Sequence, residues 1–269
     1  MFGGRIRLSR WAQNVIAWIG LLLMLTSFAW LQWTSPPAAA KRERAPPSAR
    51  EPFPVVVLDP GHGGQDSGAM VGEILEKDLT LDVAQRVDRL LQSQGLATVM
   101  TRVGDSYVSL ADRASLTNRV PDCVLVSIHF NEGNKPVSSG VETYYADHQT
   151  QAGRPVISWL PFLQRIAAEA PNIESQSLAG FIQEALVART KAANRGTKPE
   201  QFFVITNVRH PAVLVEGGFL TNKEDIARLS SIEYREQIAT AISEGIIRYR
   251  DLLKQRPPTL AVTGSSGAE

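Results

Sequence analysis

The stretch that most constrains this chain is VVVLDPGHGGQDSGA, from Val55 to Ala69. Four apolar residues that favour extended backbone run into Asp59, Pro60 and then His62, a histidine framed by Gly61, Gly63 and Gly64. A run that is apolar throughout, rather than alternating, suits a strand covered on both faces of a parallel sheet. Parallel sheets collect ligands at the carboxyl ends of their strands, so His62 stands where a ligand or a metal ion belongs. Taken alone, the segment also fits a turn histidine bonded to backbone.

Strand and helix signals alternate from there. EKDLTLDVAQRVDRLLQSQG places Leu79, Val83, Val87, Leu90 and Leu91 on one helical face, with Gly95 as the stop. Strands are expected at 97–101, 123–128, 141–145, 202–205 and 212–215, and helices at 109–119 and 177–195. A last helix shows one apolar face through Ile238, Ile242, Ile246, Tyr249 and Leu253. This order implies a three-layer α/β domain with a mostly parallel sheet of about six strands flanked by helices.

Three of these strands end in side chains that bind metals. His62 follows the first, His129 follows CVLVSI, and Glu216 follows AVLV. One such group beside a buried strand is explained by local structure, but three at one sheet edge imply a shared partner. Glu76, at the start of the first helix, is a fourth candidate; as a first-turn acid it equally suits the helix dipole, and Glu73 competes with it on spacing. Two imidazoles and a carboxylate form the ligand set of a hydrolytic zinc site, with a further glutamate as proton carrier. His148 and His210 read as surface residues.

Composition removes other classes. The net charge of +1 gives no basic excess for nucleic acid, and the single Cys123, in an apolar run, excludes an intrachain disulfide. The GHGG turn lacks the lysine and spacing of a phosphate-binding loop. At the N-terminus, Arg5, Arg7 and Arg10 precede an uncharged apolar stretch over residues 12–33. At ~1.5 Å per residue it is long enough to cross a bilayer. Trp11, Trp30 and Trp33 near its ends suit a retained anchor, whereas PPAAA at 36–40 suits a cleaved signal. Both readings export the remainder. The expected organisation is an anchor or signal peptide at 1–34, a linker at 35–52, a catalytic domain at 53–255 and a disordered tail at 256–269.

In order and separation, DPGHGGQDSGA, EKDLTLDVA, TRVGDSYVSLADR, SIHFN, GVETYY and PAVLVEGGFLTN resemble the zinc-dependent N-acetylmuramoyl-L-alanine amidases of the type 3 amidase family. The resemblance spans essentially the whole globular part and implies a zinc-exopeptidase-like fold. It implies one Zn2+ per chain held by His62, Glu76 and His129, which settles Glu76 over Glu73, and Glu216 as the catalytic glutamate. The implied reaction is hydrolysis of the amide between N-acetylmuramic acid and L-alanine in peptidoglycan. Asp59, Asn131, Glu142 and Asn222 also match and are expected to support the site or the fold, Asn222 as a helix cap. Two other readings stay open: a zinc exopeptidase of related fold, which would release single amino acids, and a non-catalytic wall-binding or activator domain.

Relative to the shortest members of that family, residues 147–175 look inserted. Ile157, Leu160, Leu163 and Ile166, with Trp159 and Phe162, form an amphipathic pattern. Related amidases with an insertion here cover the zinc with a helix until a protein activator removes it. A lid and an ordinary surface helix are both open expectations.

Overall fold

The structure, a computed structural model, describes residues 11, 18–24, 26–27, 51–133, 135–149 and 172–255. The chain divides into two units, Met1–Arg50 and Glu51–Glu269. In the first, the described residues are helical and exposed. Among the described residues no helix is long and apolar enough to cross a membrane. Most of the 12–33 stretch, the linker up to residue 50, the 256–269 tail and the amphipathic pattern at 157–166 lie outside the described residues.

The second unit is built on a six-stranded sheet. Its strands are β1 (Val55–Pro60), β4 (Ala97–Met100), β5 (Cys123–Asn131), β6 (Val141–Tyr145), β7 (Asn194–Pro199) and β8 (Ala212–Phe219), in spatial order β4-β1-β5-β8-β6-β7. β2 (Met70–Val71) and β3 (Ile74–Leu75) form a separate small hairpin. β4, β1, β5 and β8 are mutually parallel, and β6 runs antiparallel to β8 with β7 parallel to it. The expected three-layer, mostly parallel sheet is what forms.

Alternation along the strands assigns the two faces. Val56 and Leu58 pack with α1 (Glu76–Ser93), α3 (Ile173–Thr190) and α6 (Ile232–Gln255) in the larger core. Val57, Leu125 and Leu214 pack on the other face with Ala114 of α2 (Leu110–Arg119) and with Val204 and Ile205 of α4 (Phe203–Thr206). Strands buried on both sides must be apolar throughout, which is the pattern of VVVL and CVLV. Chain order runs from β1 out to β4 and back to β5 on the other flank, so the sheet reverses direction of winding between β1 and β5, where open α/β sheets bind ligands.

Three expectations are corrected. FFVI at 202–205 is not a strand; it lies in the single turn of α4, with Val204 and Ile205 buried and Phe203 exposed. The sixth strand is instead NRGTKP, a polar edge strand that carries no apolar signal because among the described residues it has no second strand neighbour and is half exposed. The helix expected at 177–195 spans Ile173–Thr190, opened by Asn172, whose side chain accepts from the Ser175 N–H, and closed by Lys191 in the left-handed region at φ 55°. α5 (Lys223–Leu229) begins as expected at Asn222, whose side chain accepts from the Glu224 and Asp225 N–H groups at 3.0 and 3.1 Å.

A candidate metal centre

His129 and Glu216 are not placed after their strands but inside them, because β5 continues to Asn131 and β8 to Phe219. They are register partners, and Glu216 is in turn the register partner of Glu142 on β6. The Gly61 N–H donates to the Ile128 carbonyl at 3.0 Å, so Gly61, His129, Glu216 and Glu142 form one row across four strands. A Cβ on Gly61 would fall on the His129 ring, 2.5 Å from Nε2, so glycine is required for the imidazole to lean over the strand.

His62 stands in the left-handed region at φ 59°, a conformation that the surrounding turn must impose. Two buried arginines from TRVGDSYVSLADR do so. Arg113 donates to the carbonyls of Pro60 and His62 at 2.6 Å each and pairs with the buried Asp59 at 2.7 Å. Arg102 donates to the carbonyls of Pro60, Gly61 and Lys77 at 3.1, 2.8 and 2.8 Å. Asp59 also accepts from Thr101 and Ser127 at 2.6 and 2.7 Å. Asp59 thus supports the turn, as its match to the family pattern suggested, but the two arginines were missed. A carboxylate in a buried strand requires a cation, and that signal was present; nothing in the spacing said which cation.

Glu76, at the first turn of α1, is buried, while Glu73 is exposed and takes no part. The Glu76 Oε1 lies 3.1 Å from His62 Nε2 and 3.0 Å from His129 Nδ1. The Ala69 N–H donates to Oε2 and the Phe130 N–H to Oε1, at 2.9 and 3.1 Å, which fixes the carboxylate. One ligand atom from each of His62, Glu76 and His129 lies within 4.8 Å of the others. The far nitrogen of His62, Nδ1, is 2.9 Å from Asp66 Oδ1, an outer carboxylate that orients a ligating imidazole.

Electrostatics match a cation site. Burial disfavours ionised Glu76, yet bonds and charge from His129 and His62 hold its carboxyl well below the usual range. Burial disfavours charged His62, yet Glu76 and then Asp66 raise it above the ordinary imidazole value. Glu216 is pushed well above the carboxylate range, first by burial and then by the charges of Glu76 and Glu142. Among the described residues its Oε2 is buried with no hydrogen-bond partner. An orphaned carboxylate oxygen facing two like charges is costly unless a cation shares the site. The imidazole and carboxylate donors are those of a three-ligand catalytic zinc ion, so the residues fit that group.

His148 is exposed as expected. His210 is not a plain surface residue: it is half-buried, and burial lowers its pKa, with the charge of Asp122 opposing. It precedes the amino end of β8 and lies outside the metal row.

A His-Glu-His set that could hold a metal ion thus lies at the winding reversal of a three-layer α/β sheet, with a further glutamate adjoining, the arrangement expected of a hydrolase site. Residues 56–248 match the family model described as N-acetylmuramoyl-L-alanine amidase (Amidase_3), and the chain belongs to that family. It is 34% identical over 194 residues to the amidase LytC of Bacillus subtilis, covering 72% of this chain but 35% of LytC. It is 31% identical over 218 residues to the amidase AmiA of Escherichia coli, covering 72% of this chain and 75% of AmiA. Among solved structures, an N-acetylmuramoyl-L-alanine amidase from Clostridium difficile superposes with a TM-score of 0.63 at 33% identity, over 74% of this chain and 97% of that one. The enzyme class is that of an amidase acting on peptidoglycan, which places its work outside the cytoplasm.

Proposed function

We propose that this chain cuts the amide between N-acetylmuramic acid and L-alanine with one zinc ion held by His62, Glu76 and His129, and with Glu216 as the proton carrier. The observation that supports the reading most directly is the unpartnered, buried Glu216 Oε2 in the same row as His129. Zinc bound there would polarise the amide carbonyl and acidify the attacking water. Glu216 accepts the proton of that water at its carboxylate and returns it to the alanine nitrogen as the C–N bond breaks. Its raised proton affinity suits both halves of that transfer. Asp66 holds His62 in the tautomer with Nε2 free to ligate, and the Ala69 and Phe130 N–H groups keep Glu76 from rotating away.

The apolar stretch at 12–33 supports export, and its length and tryptophans support retention in the membrane. Recovery of a mature chain beginning near Lys41, and of no longer form, would reject retention. A protein partner is part of the same proposal: the amidase CwlD of Clostridioides difficile, 27% identical with a TM-score of 0.63, was solved in complex with the GerS lipoprotein.

A zymogram on purified peptidoglycan, with and without chelator, tests the function. Clearing that disappears with chelator and returns with Zn2+, with intact stem peptides as product, is the expected result. Release of single amino acids would favour the exopeptidase reading. Muropeptides left uncut by zinc-loaded protein would favour the non-catalytic one.

A further inference from the structure

Beside Glu216, on the β6 and β7 side, lies a groove lined by Asn131, Glu142, Tyr144, Arg195, Lys198 and Phe219 among others.

 The groove itself measures about 360 Å³. Glu142, 1% exposed, anchors it: Oε1 accepts from Asn131 Nδ2 and the Tyr144 hydroxyl at 2.9 and 2.6 Å, and Oε2 accepts from Arg195 Nε and Lys198 Nζ at 2.8 and 2.5 Å. Two cations therefore share one carboxylate. Arg195 also stacks over Phe219, 4.7 Å from the ring centroid, and Lys198 lies 5.7 Å from that of Tyr144. Both remain about a third exposed at the side chain, at 34% and 38%. Among the described residues the terminal nitrogens of Arg195 have no hydrogen-bond partner. Glu132 and Lys135, also at the rim, offset one another, so the groove keeps an excess of positive charge.

The opposite flank of the metal row differs. A cavity of about 260 Å³ there is lined by Tyr107, Val108, Leu110, Asp66 and Arg113, and the charge of Arg113 is already matched by Asp59. A substrate with an uncharged sugar on one side of its scissile amide and an acidic peptide on the other fits this asymmetry in one direction only. We infer that the Arg195–Lys198 groove receives a free carboxylate carried by the peptide side of the substrate. The inference rests on the amidase reading above and adds the orientation and charge preference of that site. Glu142 stands about 5 Å across the ladder from Glu216, and its cations add about one contact distance more. An extended peptide covers roughly 3.3–3.6 Å per residue, so the carboxylate belongs to about the second or third residue from the cut. Glu142 is then a positioning residue that holds both cations in place.

The test compares synthetic N-acetylmuramoyl peptides with free carboxylates against the same peptides with those groups amidated, by kcat/KM and, independently, by calorimetric affinity. Wild-type, zinc-loaded protein should prefer the free acid by about tenfold or more, the scale of a charge-assisted hydrogen-bond pair. The preference should shrink toward unity in Arg195→Gln and in Lys198→Met, each of which leaves Glu142 one cationic partner. Equal affinity of wild-type protein for acid and amide, or a preference retained in both variants, overturns the inference. Absence of cleavage with the affinity preference intact would instead overturn the amidase reading and leave the groove assignment standing.

Discussion

Replacing Glu216 with glutamine separates catalysis from metal binding and also exposes the cost of burying this carboxylate. Glu216 is not among the three residues proposed to hold the ion, so Glu216→Gln should retain zinc. General-base assistance contributes about 10²–10⁴-fold, so turnover should fall by that factor, or roughly 2.7–5.4 kcal/mol of barrier at 1.36 kcal/mol per tenfold. The chelated protein should move the other way. Burial and two neighbouring carboxylates raise the folded-state pKa of Glu216 well above 4.5, so the folded state holds its proton more tightly than the unfolded chain. Below the ordinary value both states are protonated and the substitution is nearly neutral. As pH rises past it, the unfolded state ionises first and the wild type loses stability relative to the glutamine variant, until the folded group also ionises. At neutral pH the chelated variant should therefore be the more stable protein, by about 1.36 kcal/mol for each pH unit that separates the ionisation of the unfolded group from that of the folded one. Urea titrations of both proteins near pH 4 and pH 7.5, with zinc content and peptidoglycan turnover measured alongside, give all three quantities. Near-wild-type turnover with metal bound, or a stability gap that does not open with pH, would refute the reasoning.

Gly61→Ala should lower zinc affinity by about 10–100-fold, the scale of a disturbed ligand orientation, because the added methyl displaces the His129 ring; unchanged affinity in a chelator competition would show that the ring tolerates it. Arg113→Met leaves Asp59 without its buried cation and should destabilise the domain by about 3–5 kcal/mol in chemical denaturation. A loss within experimental error would mean that Thr101 and Ser127 suffice for Asp59. Replacing residues 150–171 with a short Gly-Ser linker should leave turnover of the zinc-loaded protein unchanged. The described ends of this segment sit beside Tyr145 and Ala212, where Asn172 Nδ2 donates to the Ala146 carbonyl at 3.0 Å and the Ala212 N–H to Ser175 Oγ at 2.9 Å, at the sheet edge opposite the metal row. A several-fold rise would reveal a lid.

The parts of the fold legible in the sequence are those where burial dictates composition. β1, β5 and β8 are covered on both faces and announce themselves as apolar runs, and α1 and α6 each carry one continuous apolar face. The edge strand β7 has no such obligation. Its NRGTKP sequence reads as loop, while the apolar FFVI beside it reads as strand although it forms one helical turn. Periodicity reports what is buried, and over four residues it cannot distinguish a strand from a turn of helix.

His62 and His129 stood out for a different reason: an imidazole beside a buried apolar run is expensive to leave without a partner, whereas Glu76 was chosen over Glu73 only through the family resemblance. What joins them is register, which no local pattern encodes. β6 runs antiparallel to β8, so Glu142, near the start of its strand, is brought level with Glu216, four residues along its own. That single crossing puts a third carboxylate beside Glu76 and Glu216 and obliges Arg195 and Lys198 of β7 to turn toward it. The polarity of an otherwise ordinary edge strand is therefore set by the charge of the candidate catalytic row, and the cations it supplies are left with donors to spare on the side where the substrate's peptide is proposed to lie.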